Sequence, residues 1–321
     1  MTKKVLLFCD PGIDDAIAIM YALLNPDIEL VGVVTSFGNV TKEQATRNAA
    51  YLLQIAGKSD IPIIPGAAQP IQQENMVYYP QIHGDDGIGP IEPPEDLIYH
   101  VYPFDTIRVL IEHYKDELII VDVGRSTSLA SAFILFNEQI KKVGAFYLMG
   151  GSFFRPGNVT PIAEANFHGD PTASNFILKF AHNLTISPLN VTSDAYLTPE
   201  VIDEISQTVK NPYYLMVRPI FQYYFHAYKK LAPDIVGAPI HDIVPLIMMI
   251  NPSVADYLYY DVKVVEQGDA KGLSYADLRP NGVAGQTRIG MKLNYDIFLE
   301  EVKKVMEMRY AENRGCSSEN N

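Results

Sequence analysis

Three aspartates, Asp10, Asp14 and Asp15, fall within six residues in the stretch Cys9-Asp-Pro-Gly-Ile-Asp-Asp-Ala16. One carboxylate at a helix start can cap free backbone N–H groups and meet the positive end of the helix dipole. Three crowded carboxylates repel one another, and the physical remedies are a raised pKa or a hard cation bound through oxygen. We read the cluster as a cation site; the plainer alternative is one cap and two solvated acids. Further residues able to do chemistry are His83 within His83-Gly-Asp-Asp-Gly87, Asn39 and Asn158.

The elements that must position these groups follow from periodicity. Residues 5–8 form a short apolar run, Pro11-Gly12 makes a turn and residues 13–24 have helical spacing, so the acids sit where a strand ends and a helix begins. Further strands are expected at 29–35, 118–123, 145–149 and 184–186, and helices at 42–56, 128–136 and 171–180. Strands apolar almost throughout, alternating with helices, predict an α/β chain with a mostly parallel, Rossmann-like central sheet flanked by helices. Ligands of such sheets bind beyond the carboxyl ends of the strands, where Asp10, Asn39, Val123 and Met149 stand. Residues 66–100 are rich in Pro, Gly, Asp and Gln, and a loop of that length reads as a covering or binding loop. After Thr192 the pattern turns to helices at 199–209 and 213–230, a shorter one from Asp242, an antiparallel strand group between 257 and 293, and a last helix at 295–310. This C-terminal region is read as part of a single domain, residues 1–310, followed by a flexible tail, 311–321.

Composition removes whole classes of function. A net charge of −13 with no Lys/Arg block disfavours a nucleic-acid polymer or an anionic membrane surface as partner. With 48% hydrophobic residues in 321, the chain can bury a large core. Two cysteines, Cys9 and Cys316, imply no disulfide framework and fit a reducing, cytoplasmic compartment. The aromatic tract Phe221-Gln-Tyr-Tyr-Phe-His-Ala-Tyr228 could stack on a base through Tyr224 or Tyr228, although aromatics at helical spacing more often belong to a core.

The motif Asp10-Pro-Gly-Ile-Asp-Asp-Ala16 resembles the signature of the nucleoside hydrolases, the inosine-uridine preferring group. The resemblance continues at Gly38-Asn39, His83-Gly84, Asp86-Gly-Ile-Gly89, Met149-Gly-Gly151, Pro156-Gly-Asn-Val-Thr-Pro161, Ala163-Glu164, Asn166, Asp170-Pro171 and His241-Asp242. It implies hydrolysis of the N-glycosidic bond of ribonucleosides to ribose and free nucleobase, in nucleoside salvage. It further implies a Ca²⁺ ion held by Asp10, Asp15, Asp242 and the Val123 carbonyl. Asp14 would hold the 2′-hydroxyl, Asp242 and Asn166 the 3′-hydroxyl, and Glu164 and Asn158 the 5′-hydroxyl. Asn39 and Met149 would face the sugar, and His83 would close over the ligand. By the same resemblance a Ca²⁺-bound water deprotonated by Asp10 attacks C1′, and His241 protonates or hydrogen-bonds the leaving base. A homodimer or homotetramer is implied as well.

The chain departs from the family pattern at four places. Phe8 stands where a third leading Asp is usual, Ser128 where an Asn is usual, and Asn190 where Asp is frequent. Gly124-Arg125-Ser126 replaces a more typical Gly-Pro-Leu, and Arg125 beside the acids would weaken cation binding. These departures motivate two alternatives, a non-catalytic Ca²⁺-dependent nucleoside or ribose binder and a hydrolase of a modified nucleoside. A haloacid-dehalogenase phosphatase would need a second Asp two residues after the first, and Gly12 is there.

Overall fold

A computed structural model of the chain describes residues 2–72, 76–208, 211–277, 279 and 285–307, so the expected tail 311–321 lies outside the described residues. Twelve strands are found among them: β1 (Lys3–Cys9), β2 (Ile28–Thr35), β3 (Ile63–Pro65), β4 (Leu118–Asp122), β5 (Ala145–Met149), β6 (Leu184–Ser187), β7 (Tyr196–Leu197), β8 (Ala238–Pro239), β9 (Ala255–Tyr259), β10 (Val262–Val264), β11 (Ser274–Ala276) and β12 (Arg288–Leu293). Eight of them form one sheet in the order β3-β2-β1-β4-β5-β6-β12-β9. Every neighbouring pair is parallel except β12 with β9. The mostly parallel α/β sheet expected from the sequence is therefore present.

Alternation along β1 shows how the sheet is covered on both faces. Val5, Leu7 and Cys9 join one apolar layer with the helices Ile13–Leu24 and Ile243–Ile250. Leu6 and Phe8 join the other, with Leu129 and Phe133 of the helix Thr127–Leu135. A strand buried on both faces reads as continuously apolar, which is why this region was legible from sequence. The helix Ile13–Leu24 carries Asp14 and Asp15 into this layer, and both are buried.

The C-terminal region differs from the expectation in one respect. β9 and β12 are antiparallel partners, yet β12 also pairs in parallel with β6 and so extends the main sheet. Only β10 and β11 form a separate antiparallel pair within that group. The strand β3 and the helix Thr106–Tyr114 were not among the expected elements; β3 is three residues long and two of them are buried. No helix among the described residues is long and apolar enough to cross a membrane.

Candidate active site

Strand order reverses between β1 and β4: β2 and β3 lie to one side of β1, β5 and β6 to the other side of β4. A crevice at such a switch point, beyond the carboxyl ends, is where α/β sheets bind ligands. Asp10 follows the end of β1 and Val123 the end of β4. A cavity of about 290 Å³ opens there, lined by Asp14, Asn39, His83, Val123, Met149, Asn158, Glu164, Asn166, His241 and Asp242, with Tyr79, Gln81, Ile82, Tyr224, Tyr228 and Leu231 among its other walls. Every residue expected to touch substrate lines this one cavity, and Asp10 and Asp15 lie buried behind it.

The acids divide their tasks by geometry. Asp15 does the capping, since its carboxylate accepts from the Asp10 and Gly12 backbone N–H groups at 3.1 Å each and from Asn39 Nδ2 at 2.9 Å. Asp10 Oδ2 accepts from the Asn39 backbone N–H at 2.5 Å, whereas Asp10 Oδ1 and Asp14 Oδ1 are buried without a hydrogen-bond partner. Carboxylate oxygens of Asp14, Asp15 and Asp242 all lie within 4.8 Å of one another, an arrangement able to hold a metal ion. Asp10 stands beside this trio and is not one of its three members. Close backbone approach makes room for it: a Cβ on Gly38 would come within 1.7 Å of Asp10 Oδ2, and one on Gly124 within 2.7 Å of Oδ1.

Burial and mutual repulsion raise the pKa of this group. Burial pushes Asp14 up to about 7, with Asp15 adding to the shift. Asp10 and Asp242 are raised well above the ordinary carboxylate value, first by burial and then by neighbouring aspartates. Asp242 also hydrogen-bonds Asp15, which requires a proton on one of the two unless a cation stands between them.

The sugar-side residues are held by backbone bonds. Glu164 caps the short helix Ala165–Gly169, accepting from Asn166 N at 2.7 Å, Phe167 N at 3.0 Å and Gly151 N at 2.9 Å. Asn166 Nδ2 donates to the Val123 carbonyl at 2.8 Å and the Met149 carbonyl at 3.2 Å, leaving its Oδ1 as an acceptor for another group. Asn158 Oδ1 accepts from Ala165 N at 2.9 Å, which leaves its amide N–H groups to donate. The Val123 carbonyl keeps one lone pair beyond the bond from Asn166.

The two histidines of the cavity are buried, and burial favours their neutral forms. His83 Nδ1 accepts from the Ile13 N–H at 3.0 Å, and burial pushes the ring down to about 3. His241 Nδ1 lies 2.9 Å from Thr192 Oγ1, its Nε2 lies 3.2 Å from the Tyr228 hydroxyl, and burial pushes it down to about 4. Burial thus works against the near-neutral pKa on which its expected acid role rested. Tyr224 continues the chain, 3.4 Å from the Tyr228 hydroxyl and hydrogen-bonded to Asp14. Neither tyrosine's part in this network was read from the sequence, where their spacing matched an ordinary apolar helix face; the helix Val217–Leu231 in fact buries Phe221 and Tyr224. The walls Tyr79, Gln81 and Ile82 were likewise missed as individuals, although they belong to the Pro/Gly-rich loop marked as a covering segment.

Three of the departures have physical counterparts. Phe8 is buried in the apolar layer and pairs in register with Asp122, whose Oδ2 has no partner and whose carboxyl burial pushes up to about 7. Ser128 Oγ accepts from Ala67 N at 2.9 Å, and a Cβ on Gly66 would crowd it. Asn190 clasps the Phe153 backbone at both N–H and carbonyl, at 2.9 and 2.6 Å, which an ionised Asp, an acceptor only, could not do.

Comparison with known proteins agrees with this geometry. The family model described as inosine-uridine preferring nucleoside hydrolase matches residues 5–300. The chain is 31% identical over 313 residues to the inosine-uridine preferring nucleoside hydrolase of Crithidia fasciculata, covering 96% of this chain and 98% of that protein. It is 30% identical over 277 residues to uridine nucleosidase 1 of Arabidopsis thaliana, covering 86% and 82%. The solved purine-preferring ribonucleoside hydrolase of Gardnerella vaginalis superposes with a TM-score of 0.88 at 28% identity, covering 95% and 98%. A strand-end cavity walled by carboxylates and amides, together with a family match over most of its length, places the chain in the inosine-uridine preferring nucleoside hydrolase family, the hydrolases of the ribonucleoside N-glycosidic bond.

Proposed function

We propose that this enzyme cleaves ribonucleosides with a Ca²⁺ ion at the acidic cluster and Asp10 as general base. The observation that carries the reading is the set of buried aspartate oxygens facing one cavity, with Asp10 Oδ1 and Asp14 Oδ1 unpartnered. The donor set fits a hard cation: it is all oxygen, it combines carboxylates with the free lone pair of the Val123 carbonyl, and Ca²⁺ accepts roughly 6 to 8 such ligands. Asp10, Asp15, Asp242 and Val123 are the proposed ligands, and Asp14 borders the same space. Bound there, the ion would supply Lewis acidity, lowering the pKa of water and neutralising the crowded charge.

Asp10 accepts a proton from the attacking water through Oδ1 while its Oδ2 stays anchored to Asn39. Asp14 takes the 2′-hydroxyl, Asn166 Oδ1 and Asp242 the 3′-hydroxyl, and Asn158 and Glu164 the 5′-hydroxyl. Water then adds at C1′ as the glycosidic bond breaks through an oxocarbenium-like state, by analogy with inverting glycosidases. His241, neutral in the fold, acts on the departing base through Tyr228 rather than as an imidazolium. His83 orders the cavity roof by accepting from Ile13 N.

The reading also places the enzyme in cytoplasmic nucleoside salvage as a homodimer or homotetramer. It takes residues 1–310 as one domain, which is supported by the strands from both ends of that range sharing a sheet. Release of free ribose from inosine, uridine, cytidine, adenosine and p-nitrophenyl riboside, with and without a chelator, tests it. Chelator-sensitive release supports the proposal. Tight Ca²⁺-dependent nucleoside binding without release would favour a binder.

A further inference from the structure

Arg125 is a strongly basic side chain buried behind this site, and nothing in the proposed chemistry uses it. It is 5% exposed. Its guanidinium lies 5.2 Å from the Phe37 ring centroid, and its Nη2 donates to the Val77 carbonyl at 2.9 Å. On the other side a Cβ at Gly169 would meet Arg125 Cδ at 2.4 Å, so the backbone there leaves a slot of this side chain's width. A buried guanidinium is expensive unless its charge is answered, and the carboxylates of Asp10 and Glu164 lie near enough to feel it.

The chain segment that receives the Val77 bond roofs the cavity. Tyr79, Gln81, Ile82 and His83 follow within six residues and line it. The near end of this roof is not held by burial, because Met76 and Val77 are 39% and 57% exposed, whereas His83 at its far end is buried. Hydrogen bonds spaced along it tie it down: Ile71 N to Asp170 Oδ2 at 2.8 Å, Tyr79 N to the Asn39 carbonyl at 3.1 Å, and Ile13 N to His83 Nδ1. Arg125 supplies the tie between the first two, and a bond from a charged donor is stronger than a neutral one.

We propose that Arg125 is a positioning residue that holds the segment 76–83 closed over the sugar pocket. The loop after β4 thus serves both walls of the cavity. Val123 offers its carbonyl to the floor, and two residues later Arg125 reaches behind to the roof. This role rests on the cavity being the nucleoside site and stands beside the expectation that Arg125 weakens the cation. It also accounts for a charged residue at a place where a cation is to be bound, since the side chain is directed to a carbonyl and a ring.

The test compares Arg125→Met and Arg125→Lys with the full-length enzyme by thermolysin cleavage of the folded protein and by steady-state ribose release. Arg125→Met is expected to raise the cleavage rate within residues 76–82 at least tenfold without a matching fall in Tm. It is also expected to raise KM for a ribonucleoside at least tenfold with kcat changed less than threefold. Arg125→Lys, which keeps a donor but loses the planar stack, is expected to fall between. Cleavage at the wild-type rate, or a loss confined to kcat, overturns the proposal. If Arg125→Met gives no cooperative melt, Arg125→Lys is scored on the same two readouts. Cleavage is read without substrate, so failure of the nucleosidase reading would leave the positioning result standing on its own.

Discussion

The Tyr228 hydroxyl stands 3.2 Å from His241 Nε2, while His241 Nδ1 is occupied by Thr192 Oγ1 at 2.9 Å. Held on both sides, the imidazole can donate to or accept from the Tyr228 hydroxyl and so orient that hydroxyl. A cation at the acidic cluster would push the ring pKa further down, in the same direction as burial. His241→Ala and Tyr228→Phe should therefore each lower turnover of inosine about 10²-fold or more, the low end of general-acid contributions. p-Nitrophenyl riboside, whose leaving group needs no proton, should lose less than about tenfold. Equal losses on the two substrates would reduce both residues to a structural role.

Asp10 should be dispensable for folding and indispensable for turnover. Asp10→Asn is expected to lower kcat by about 10²- to 10⁴-fold, the range of a lost general base, with an unchanged or higher Tm because one crowded buried acid has gone. A loss of only a few-fold would move the base elsewhere. Gly38→Ala provides an independent check, since its Cβ would stand 1.7 Å from Asp10 Oδ2 and must displace that carboxylate. We expect at least a tenfold loss of turnover from a single added methyl.

Without a cation, stability should fall as pH rises. Asp14 and Asp122 have folded-state pKa values pushed from 3.8 up to about 7, so between those limits the folded chain binds more protons than the unfolded one. The contribution of these two acids is then greatest below the unfolded value and decreases as pH climbs toward about 7, while the buried His83 and His241, pushed down to about 3 and 4, contribute in the opposite sense as pH falls below their ordinary value. Melting of the chelated protein at pH 5.5 and 8 should show the higher Tm at pH 5.5. Added Ca²⁺ should raise Tm mainly at the higher pH, where the carboxylates are ionised. A flat profile with and without the ion would argue against a metal at these residues.

Substrates lacking ribose hydroxyls should be rejected. A 2′-deoxyribonucleoside leaves Asp14 Oδ1 buried without a partner, a penalty that reaches about 10⁴ in discrimination where a site is built around a hydroxyl. Comparison of kcat/KM for uridine and deoxyuridine measures it. Ratios below about tenfold would remove Asp14 from the 2′-hydroxyl.

Much of this was legible before any tertiary contact was known. The strands around the site are buried on both faces and so read as unbroken apolar runs, and the helices Ile13–Leu24 and Pro171–Phe180 show their periodicity plainly. The short β3 and the double pairing of β12 were not legible, because a three-residue strand has no period and register is chosen by the partner strand. The aspartates at 10, 14 and 15 announce cation chemistry by type and spacing alone. What spacing cannot say is which oxygen is already spent: Asp15 turned out to be the cap, and Asp14 and Asp10 each kept an unpartnered oxygen.

The same limit explains the tyrosines and the arginine. On the sequence Tyr224 and Tyr228 are an apolar helix face and Arg125 is a charge beside the acids. Their functions depend on partners 13 to 48 residues away, His241 for Tyr228 and Val77 for Arg125. Local composition determined the fold class and the acidic centre, since those follow from short-range periodicity and from charges that cannot coexist unaided, and the resemblance supplied the amide set around them. Only the tertiary structure decided the hydrogen-bond chain from His241 through Tyr228 to Tyr224 and the bond from Arg125 to Val77, because a side chain's direction is set by the packing of elements far apart in sequence.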